Sequence, residues 1–428
     1  MATTFDQRTR TTTTHGGIRI PVRTALRWIL PALACVLSRA PVEALGLAPR
    51  SFRARRGSGP SLPELRRGEA HVRLHAHAHA SGNGTAAVAP DTRDGGTGAG
   101  PVESRAKPRA KPRAGTGVKA APDPSGEWLA DRVRSVNYFV SRKCNYSCKF
   151  CFHTQKTTHT LPAEDAVRGL CLLRAAGTEK INFAGGEPFV RPHLLGRLCK
   201  AAHEMGMAVS IISNGSLVTE EWMRQYGYYV DILGVSVDSF DPETNALIGR
   251  GGDAHNRHVD RMRRVRRWCE EHNIKFKINT VVCKHNVRED MTQQMLELDP
   301  VRWKVFQVLV LEGENAGAGD LRDARELRVT DDEYQAFVDR HRPSFSSDVL
   351  IPESNAVMQN SYLLLDEDLR FLDCSAGGKV PSASILEVGV ETALRQAGFD
   401  ADMFRQRGGV FEWTRDRSGD APRPELRP

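Results

Sequence analysis

No run of apolar residues in this 428-residue chain reaches the roughly 18 that a helix needs to cross a bilayer. The nearest approach, residues 28–37, is broken by Pro31 and flanked by Arg27 and Arg39. A transmembrane span is therefore disfavoured, which leaves an interfacial helix, a signal h-region, an organelle transit peptide or a plain disordered tail. An even cysteine framework is missing too. Nine cysteines, at 35, 144, 148, 151, 171, 199, 269, 283 and 374, scatter without pairing, which argues against a disulfide-stapled secreted fold and for a reducing compartment. Only Cys374 lies beyond Cys283, and there is no second Cys-x-x-Cys knuckle to complete a four-ligand zinc site. Acidic residues are scarce in residues 1–14, where threonine dominates. The net charge of +8 fits nucleic acid, a membrane surface or a phosphorylated substrate, but much of the excess lies in the N-terminal tail.

Composition divides the chain into four parts. Residues 1–50 read as a targeting or membrane-associated segment. Residues 51–128 read as a disordered His/Gly/Pro-rich linker, in which "HVRLHAHAHA" is low-complexity drift rather than a metal site and "AKPRAKPRA" is solubilising rather than a nucleic-acid reader. Residues 129–315 alternate strand and helix patterns, and residues 316–428 form a C-terminal extension. Strands are expected at 135–140, 208–215, 231–240, 275–282 and 301–311, and 180–188 reads as a strand running into a Gly-rich turn. Helices are expected at 163–177, 193–205, 255–273 and 288–298. Six strands alternating with helices through short loops imply an α/β fold, a partial (β/α)6 TIM-like barrel with its chemistry at the carboxyl ends of the strands. Residues 185–188, Ser213, Asn214 and residues 236–238 all fall at such ends.

The cysteines at 144, 148 and 151 lie in "SRKCNYSCKFCFHTQKT". A helix would align them on one face as core residues, but Asn145, Tyr146, Ser147 and Lys149 make a poor helix where a loop is due after a strand. Zinc lacks its second pair of ligands. An iron–sulfur cluster held by three thiolates leaves one iron open, and an open position marks a catalytic rather than a structural site.

The spacing Cys-x3-Cys-x2-Cys, with Phe150 just before the third cysteine, is identified as the signature of the radical S-adenosylmethionine superfamily. The resemblance implies a [4Fe–4S] cluster on Cys144, Cys148 and Cys151 whose free iron chelates S-adenosylmethionine and generates a 5′-deoxyadenosyl radical. It also implies cofactor contacts from "GGEP" (Gly185, Gly186 and Glu187, the carboxylate beside the amino group) and from Ser213, Ser236 and Arg250. Longer stretches, among them "KINFAGGEPF", "SFDPETNALIGRG", "VRWKVFQ", "LEGEN", "PESN", "SYLLLDE" and "RFLDC", resemble the viperin family of antiviral radical nucleotide dehydratases over roughly residues 134–415.

That family resemblance implies conversion of CTP to 3′-deoxy-3′,4′-didehydro-CTP, a chain-terminating nucleotide, by abstraction of the ribose 4′-hydrogen. A triphosphate demands converging cations. Lys180 opens one strand, Lys277 and Asn279 lie two apart on a second, and Arg302 and Lys304 two apart on a third, so each pair shares a face. The resemblance carries these five residues and Asn137 into the nucleotide site, adds Tyr362 as a proton donor near the sugar, and puts Arg407 in a loop closing over phosphates. The expected partners are CTP, a one-electron donor, the iron–sulfur assembly machinery and a membrane surface met by the N-terminus; direct nucleic-acid binding is not expected. The family's place is the cytosolic face of the endoplasmic reticulum and lipid droplets. Two features depart from it: the proline-interrupted N-terminal segment, and "SGDAPRPELRP" where the family has an aromatic tail that recruits the assembly machinery. The rival readings are a radical enzyme acting on another nucleotide or a peptide, and a cluster-binding membrane scaffold.

Overall fold

A computed structural model describes residues 126–251, 257–418 and 420. The targeting segment and all but the last residues of the linker lie outside the described residues. Helix α1 (Glu127–Arg132) leads into β1 (Ser135–Phe139). Strands and helices then alternate: α2 (Ala163–Ala175), β2 (Lys180–Ala184), α3 (Pro192–Glu204), β3 (Ala208–Ser213), α4 (Glu220–Tyr226), β4 (Ile232–Ser236), α5 (Pro242–Ile248), α6 (His258–Glu271), β5 (Lys275–Val282), α7 (Thr292–Leu298) and β6 (Arg302–Gln307). Beyond them come α8 (Asp331–His341), β7 (Leu350–Glu353), α9 (Asn355–Met358), β8 (Leu364–Leu365), β9 (Arg370–Asp373), β10 (Val380–Ser384), α10 (Ile385–Leu394) and α11 (Ala401–Gln406).

The ten strands form one sheet in the order β10-β9-β8-β1-β2-β3-β4-β5-β6-β7. Neighbours from β1 to β7 pair in parallel, as short strand–helix–strand crossovers require. The six expected strands are all present. The segment after residue 315 adds more to the same sheet, with β7 parallel on β6 and β8 parallel on β1. Two expected strands end early. β4 stops at Ser236, and β6 at Gln307 rather than residue 311, because Asn315 captures the Leu311 amide (2.7 Å) and the Leu309 carbonyl (3.0 Å) and turns the chain away. Among the described residues, no helix is long and apolar enough to cross a membrane.

Alternation along each strand separates two environments. Val136, Tyr138, Ile181, Phe183, Val209, Ile211, Leu233, Val235, Phe276, Ile278, Trp303 and Val305 point outward and form the main core with Leu170 and Leu173 of α2, Leu195 and Leu198 of α3, Met262 of α6 and Phe337 of α8. Each such side chain contributes about 1.5–3 kcal/mol by leaving water. The intervening positions face the barrel interior, and many are polar: Asn137, Lys180, Asn182, Ser210, Ser236, Lys277, Asn279, Arg302, Lys304 and Glu353. The hydrophobic core therefore lies between sheet and helices, while the inside of the sheet is a polar shaft.

Candidate active site

The loop after β1 carries the three cysteines at the carboxyl mouth of this shaft. All three are free thiols, half-buried. Burial, with smaller contributions from nearby thiols, pushes the Cys144 thiol up to about 11 and the Cys148 thiol up to about 12. Three glycines allow the loop to dock. A β-carbon on Gly185 would lie 2.4 Å from the Ser141 carbonyl oxygen, one on Gly186 2.2 Å from that of Lys143, and one on Gly249 2.6 Å from that of Ser147. The Gly186 and Glu187 amides donate to the Ser141 and Lys143 carbonyls at 2.7 and 2.8 Å. The glycine pair of "GGEP" thus seats the cysteine loop, and the backbone carbonyls of the pair are what the turn still offers a cofactor.

Glu187 departs from expectation. Its buried carboxylate accepts from the Phe189 amide (3.0 Å), Ser213 Oγ (2.8 Å) and the Asn214 amide (2.7 Å). Both oxygens are engaged, so Glu187 and Ser213 tie the turn after β2 to the turn after β3. Asn214 in turn holds Asn145 of the cysteine loop at 2.9 Å. Arg250 is buried against Asp238, and its charge is felt by Cys148 and Tyr146. Asp238 is fixed through its second oxygen by the Val281 amide (2.9 Å) and through its carbonyl by Asn286 (2.6 Å). Ser236 ends β4 half-exposed, and its carbonyl lies 2.9 Å from His258 Nε2.

The shaft below the cysteine loop gathers the expected substrate residues. Register places Lys277 beside Arg302 and Asn279 beside Lys304 on β5 and β6, and Asn137 beside Asn182 on β1 and β2. Lys304 pairs with the fully buried Glu353 and lies 2.9 Å from Tyr362 Oη, which donates to the other oxygen of Glu353. Arg407 reaches Glu353 at 3.2 Å and stacks 3.8 Å over the Tyr362 ring. Burial alone would raise Glu353; Lys304 and Arg407 beside it hold it down at about 2. Burial lowers Lys304 to about 7, an effect Glu353 only partly offsets. Lys180 is likewise lowered to about 7, by burial and then by the charges of Lys304, Arg407 and Arg302, and Lys277 is driven well below the usual lysine range. Neither Lys180 nor Lys277 has a carboxylate partner among the described residues. Asn182 Oδ1, Asn279 Oδ1 and Arg302 Nε are buried with no hydrogen-bond partner. Among the described residues only Lys304 and Arg407 pair with a carboxylate, Glu353, while Lys180, Lys277 and Arg302 have none, so an anionic ligand would restore the charge that burial suppresses on the lysines.

Several of these residues escaped the sequence reading. Asn182 lies two residues beyond Lys180 and donates to Asn137 Oδ1 at 2.7 Å, so the period-two rule that paired Lys277 with Asn279 would also have found it. Glu353 gave no such signal. Phe411 and Trp413 close the amino end of the shaft, Phe411 lying 4.3 Å from the Arg302 guanidinium and Trp413 5.5 Å from Lys180 Nζ. Arg407 was expected over phosphates; its guanidinium is already shared between Glu353 and the Ser361 carbonyl (2.9 Å).

No trio of His, Cys, Asp or Glu side chains among the described residues converges on a single metal ion. A cubane cluster instead offers a separate iron to each thiolate, and three free thiols on one glycine-seated loop, with the Tyr146 amide donating to Cys144 Sγ at 3.4 Å, suit it. A sequence model described as the Radical SAM superfamily matches residues 138–297. The chain is 53% identical over 286 residues to the S-adenosylmethionine-dependent nucleotide dehydratase RSAD2 of Danio rerio, a match covering 66% of this chain and 78% of that protein. It is 52% identical over 286 residues to the protein of the same name from Siniperca chuatsi, covering 66% and 79%. It is 35% identical over 307 residues to an S-adenosylmethionine-dependent nucleotide dehydratase of Lacinutrix mariniflava, covering 69% and 62%.

Proposed function

Belonging as it does to the viperin family of S-adenosylmethionine-dependent nucleotide dehydratases, this radical enzyme is one that we propose converts CTP to 3′-deoxy-3′,4′-didehydro-CTP. Its cofactors are a [4Fe–4S] cluster, for which Cys144, Cys148 and Cys151 are the ligands, and S-adenosylmethionine. When bound, they supply the 5′-deoxyadenosyl radical that takes the ribose 4′-hydrogen. The observation that carries the substrate assignment is the set of buried, under-compensated cations in the shaft. Lys180, Lys277, Arg302, Lys304 and Arg407 outnumber Glu353, and a polyphosphate supplies the missing charge.

The residues of the shaft divide the work. Lys180, Lys277 and Arg302 hold phosphate oxygens near the amino end. Asn137, Asn182 and Asn279 present amides to sugar and base, with Asn182 Oδ1 and Asn279 Oδ1 awaiting donors. Tyr362 stays protonated, because burial raises its phenol well above the usual range. It gives its proton to the 3′-hydroxyl, which departs as water while one electron from the external one-electron donor completes the reduction of the sugar radical, and it is resupplied by Lys304, 2.9 Å away. Phe411 and Trp413 shut the shaft on the far side, which keeps water from a reactive carbon radical. Consistent with the family, we place the protein on the cytosolic face of the endoplasmic reticulum or on lipid droplets, to be tested by imaging the tagged full chain.

The test is anaerobic reconstitution with iron and sulfide, then incubation with dithionite, S-adenosylmethionine and each of CTP, UTP, ATP and GTP. CTP should raise 5′-deoxyadenosine above the no-substrate level and yield a product 18 Da lighter than CTP, the mass of one lost water. Greater formation with another nucleotide would overturn the assignment to CTP.

A further inference from the structure

Beside the cysteine loop, and outside the nucleotide shaft, lies a second buried polar cluster to which the proposed function assigns no role. Its members come from the loop itself and from the segment after β6. Arg142, 9% exposed, donates from Nε to Glu367 (2.9 Å) and from Nη1 to Glu314 (3.0 Å) and to the Thr154 carbonyl (3.0 Å). Glu314, 1% exposed, also accepts from the Thr154 amide (2.8 Å) and hydroxyl (2.7 Å). Asn315 donates to the Phe150 carbonyl at 3.1 Å. Lys379, whose side chain is 6% exposed, donates to the Phe152 carbonyl at 2.5 Å, and its Nζ lies 3.0 Å from His153 Nδ1 and 3.4 Å from Glu314. Every residue from Phe150 to Thr154 except Cys151 itself is thus touched by a group of this cluster or by its neighbours, since His153 also stacks on Phe139 at 4.2 Å.

The arrangement is costly unless it serves a purpose. A lysine and an arginine are taken from water to grip backbone carbonyls of a short loop, where apolar side chains could pack. Lys379 stands next to the peptide that follows Cys151, close enough for its charge to act on that thiol. A fixed positive charge near an iron–sulfur cluster favours the reduced, more negative form and raises its reduction potential; a fixed negative charge does the opposite.

We propose that Lys379 is a positioning residue for the cluster: it anchors the arm of the loop behind Cys151, and its buried charge raises the cluster's reduction potential, while Glu314 holds Lys379 in place and opposes it. This inference rests on the cysteine triad carrying a cluster, and the experiment separates the two claims. Wild type, Lys379→Met, Lys379→Arg and Glu314→Gln are reconstituted, and iron content and the paramagnetic signal of the reduced cluster are read first. A wild type that holds no cluster refutes the family reading itself, with no bearing on Lys379. Loaded proteins are then titrated potentiometrically without S-adenosylmethionine or nucleotide, so the readout is independent of turnover. Lys379→Met should lose about tenfold in the ratio of reduced to oxidised cluster at fixed applied potential, a shift of about 59 mV to the negative for one electron. Lys379→Arg should stay near wild type, and Glu314→Gln should shift in the positive direction. Loosening of the loop alone would move both charge-removing variants the same way. Shifts of the same sign in Lys379→Met and Glu314→Gln, or a Lys379→Met potential equal to wild type, would overturn the proposal. Should Lys379→Met fail to retain iron, the direction of the Glu314→Gln shift decides.

Discussion

Replacing Lys180 with methionine should make the nucleotide-free protein more stable while weakening its hold on substrate. Lys180 is 8% exposed and its ammonium is lowered from 10.5 to about 7, first by burial and then by Lys304, Arg407 and Arg302. At neutral pH the unfolded chain keeps this lysine charged with ease and the folded one does not, which opposes folding by on the order of 4 kcal/mol. The opposing gain is its contact with the Phe411 and Trp413 rings at 5.3 and 5.5 Å, worth about 1–2 kcal/mol in a desolvated place. Methionine has similar length and keeps the ring contacts as dispersion. The balance is a gain of roughly 2 kcal/mol at pH 7. The pH dependence identifies the cause. The unfolded state binds more protons than the folded one between about pH 7 and 10.5, so wild-type stability from this group rises with pH across that window. The advantage of Lys180→Met should be full at and below pH 7 and shrink toward zero near pH 10. The assay is denaturant unfolding of both proteins at equal cluster content from pH 6.5 to 9.5, with CTP binding measured in parallel. A variant less stable than wild type at pH 7, or an advantage that does not shrink with pH, would refute the reading of Lys180 as an uncompensated charge.

The remaining predictions touch the same site from other sides. Nucleotide binding should take up protons near pH 7–8, since phosphate raises the lysines that burial has lowered; calorimetry in buffers of different ionisation heat measures this, and affinity should fall as pH rises above about 7. Gly186→Ala places a β-carbon 2.2 Å from a backbone oxygen of the cysteine loop, so iron content after reconstitution should drop severalfold with little change in far-UV circular dichroism. Arg250→Met strands the buried Asp238 and should destabilise the fold by about 3–5 kcal/mol, read by unfolding; a loss under 1 kcal/mol would show that Asp238 needs no counter-charge.

Much of the fold was legible because its parallel strands follow a simple rule. Strands β1 to β3 and β5 fell close to the expected bounds, since alternation of β-branched and other apolar residues marked them, with glycines beside β2 and β3. The overlong reading of β6 has a physical source: residues 308–311 are apolar enough for a strand, and only the distant Asn315 side chain shows that the chain turns there. The strand β7 was missed because Pro352 argues against a strand interior. It is tolerated on β7, which bonds only to β6 and forms an edge of the sheet. With β7 went Glu353, the single carboxylate among the cations. The strand β8 spans two residues and gives no periodic signal at all. Glu187 was legible as part of a motif but not in its role. Only coordinates show that three protein donors already occupy its carboxylate.

The barrel interior tests how far local charge can replace global charge as a guide to function. The excess of +8 pointed to anionic partners but fell largely in a tail that says nothing about the shaft. Within the shaft, lysines on a strand are ambiguous one at a time, because a lysine at a strand end usually reaches water. Their meaning comes from register. Lys277 stands beside Arg302 and Asn279 beside Lys304, so cations from neighbouring strands share one face without intervening acids. Such an arrangement is unfavourable for folding, and apolar residues of the same size would give a more stable barrel. The outward face of the same strands shows that this sequence can build a close-packed apolar layer where stability is the only demand. Stability therefore cannot account for the inward cations. An anion would complete them, and the amide oxygens of Asn182 and Asn279, which no protein donor reaches, are placed to accept from a ligand that also carries hydrogen-bond donors. A nucleotide triphosphate has both on one molecule, whereas inorganic polyphosphate has only the first. CTP should accordingly bind the ligand-free shaft more tightly than tripolyphosphate does, and Asn182→Ala with Asn279→Ala should erase that difference while leaving tripolyphosphate affinity within about twofold. Equal affinity of the two anions for the wild type would show that charge alone explains the site.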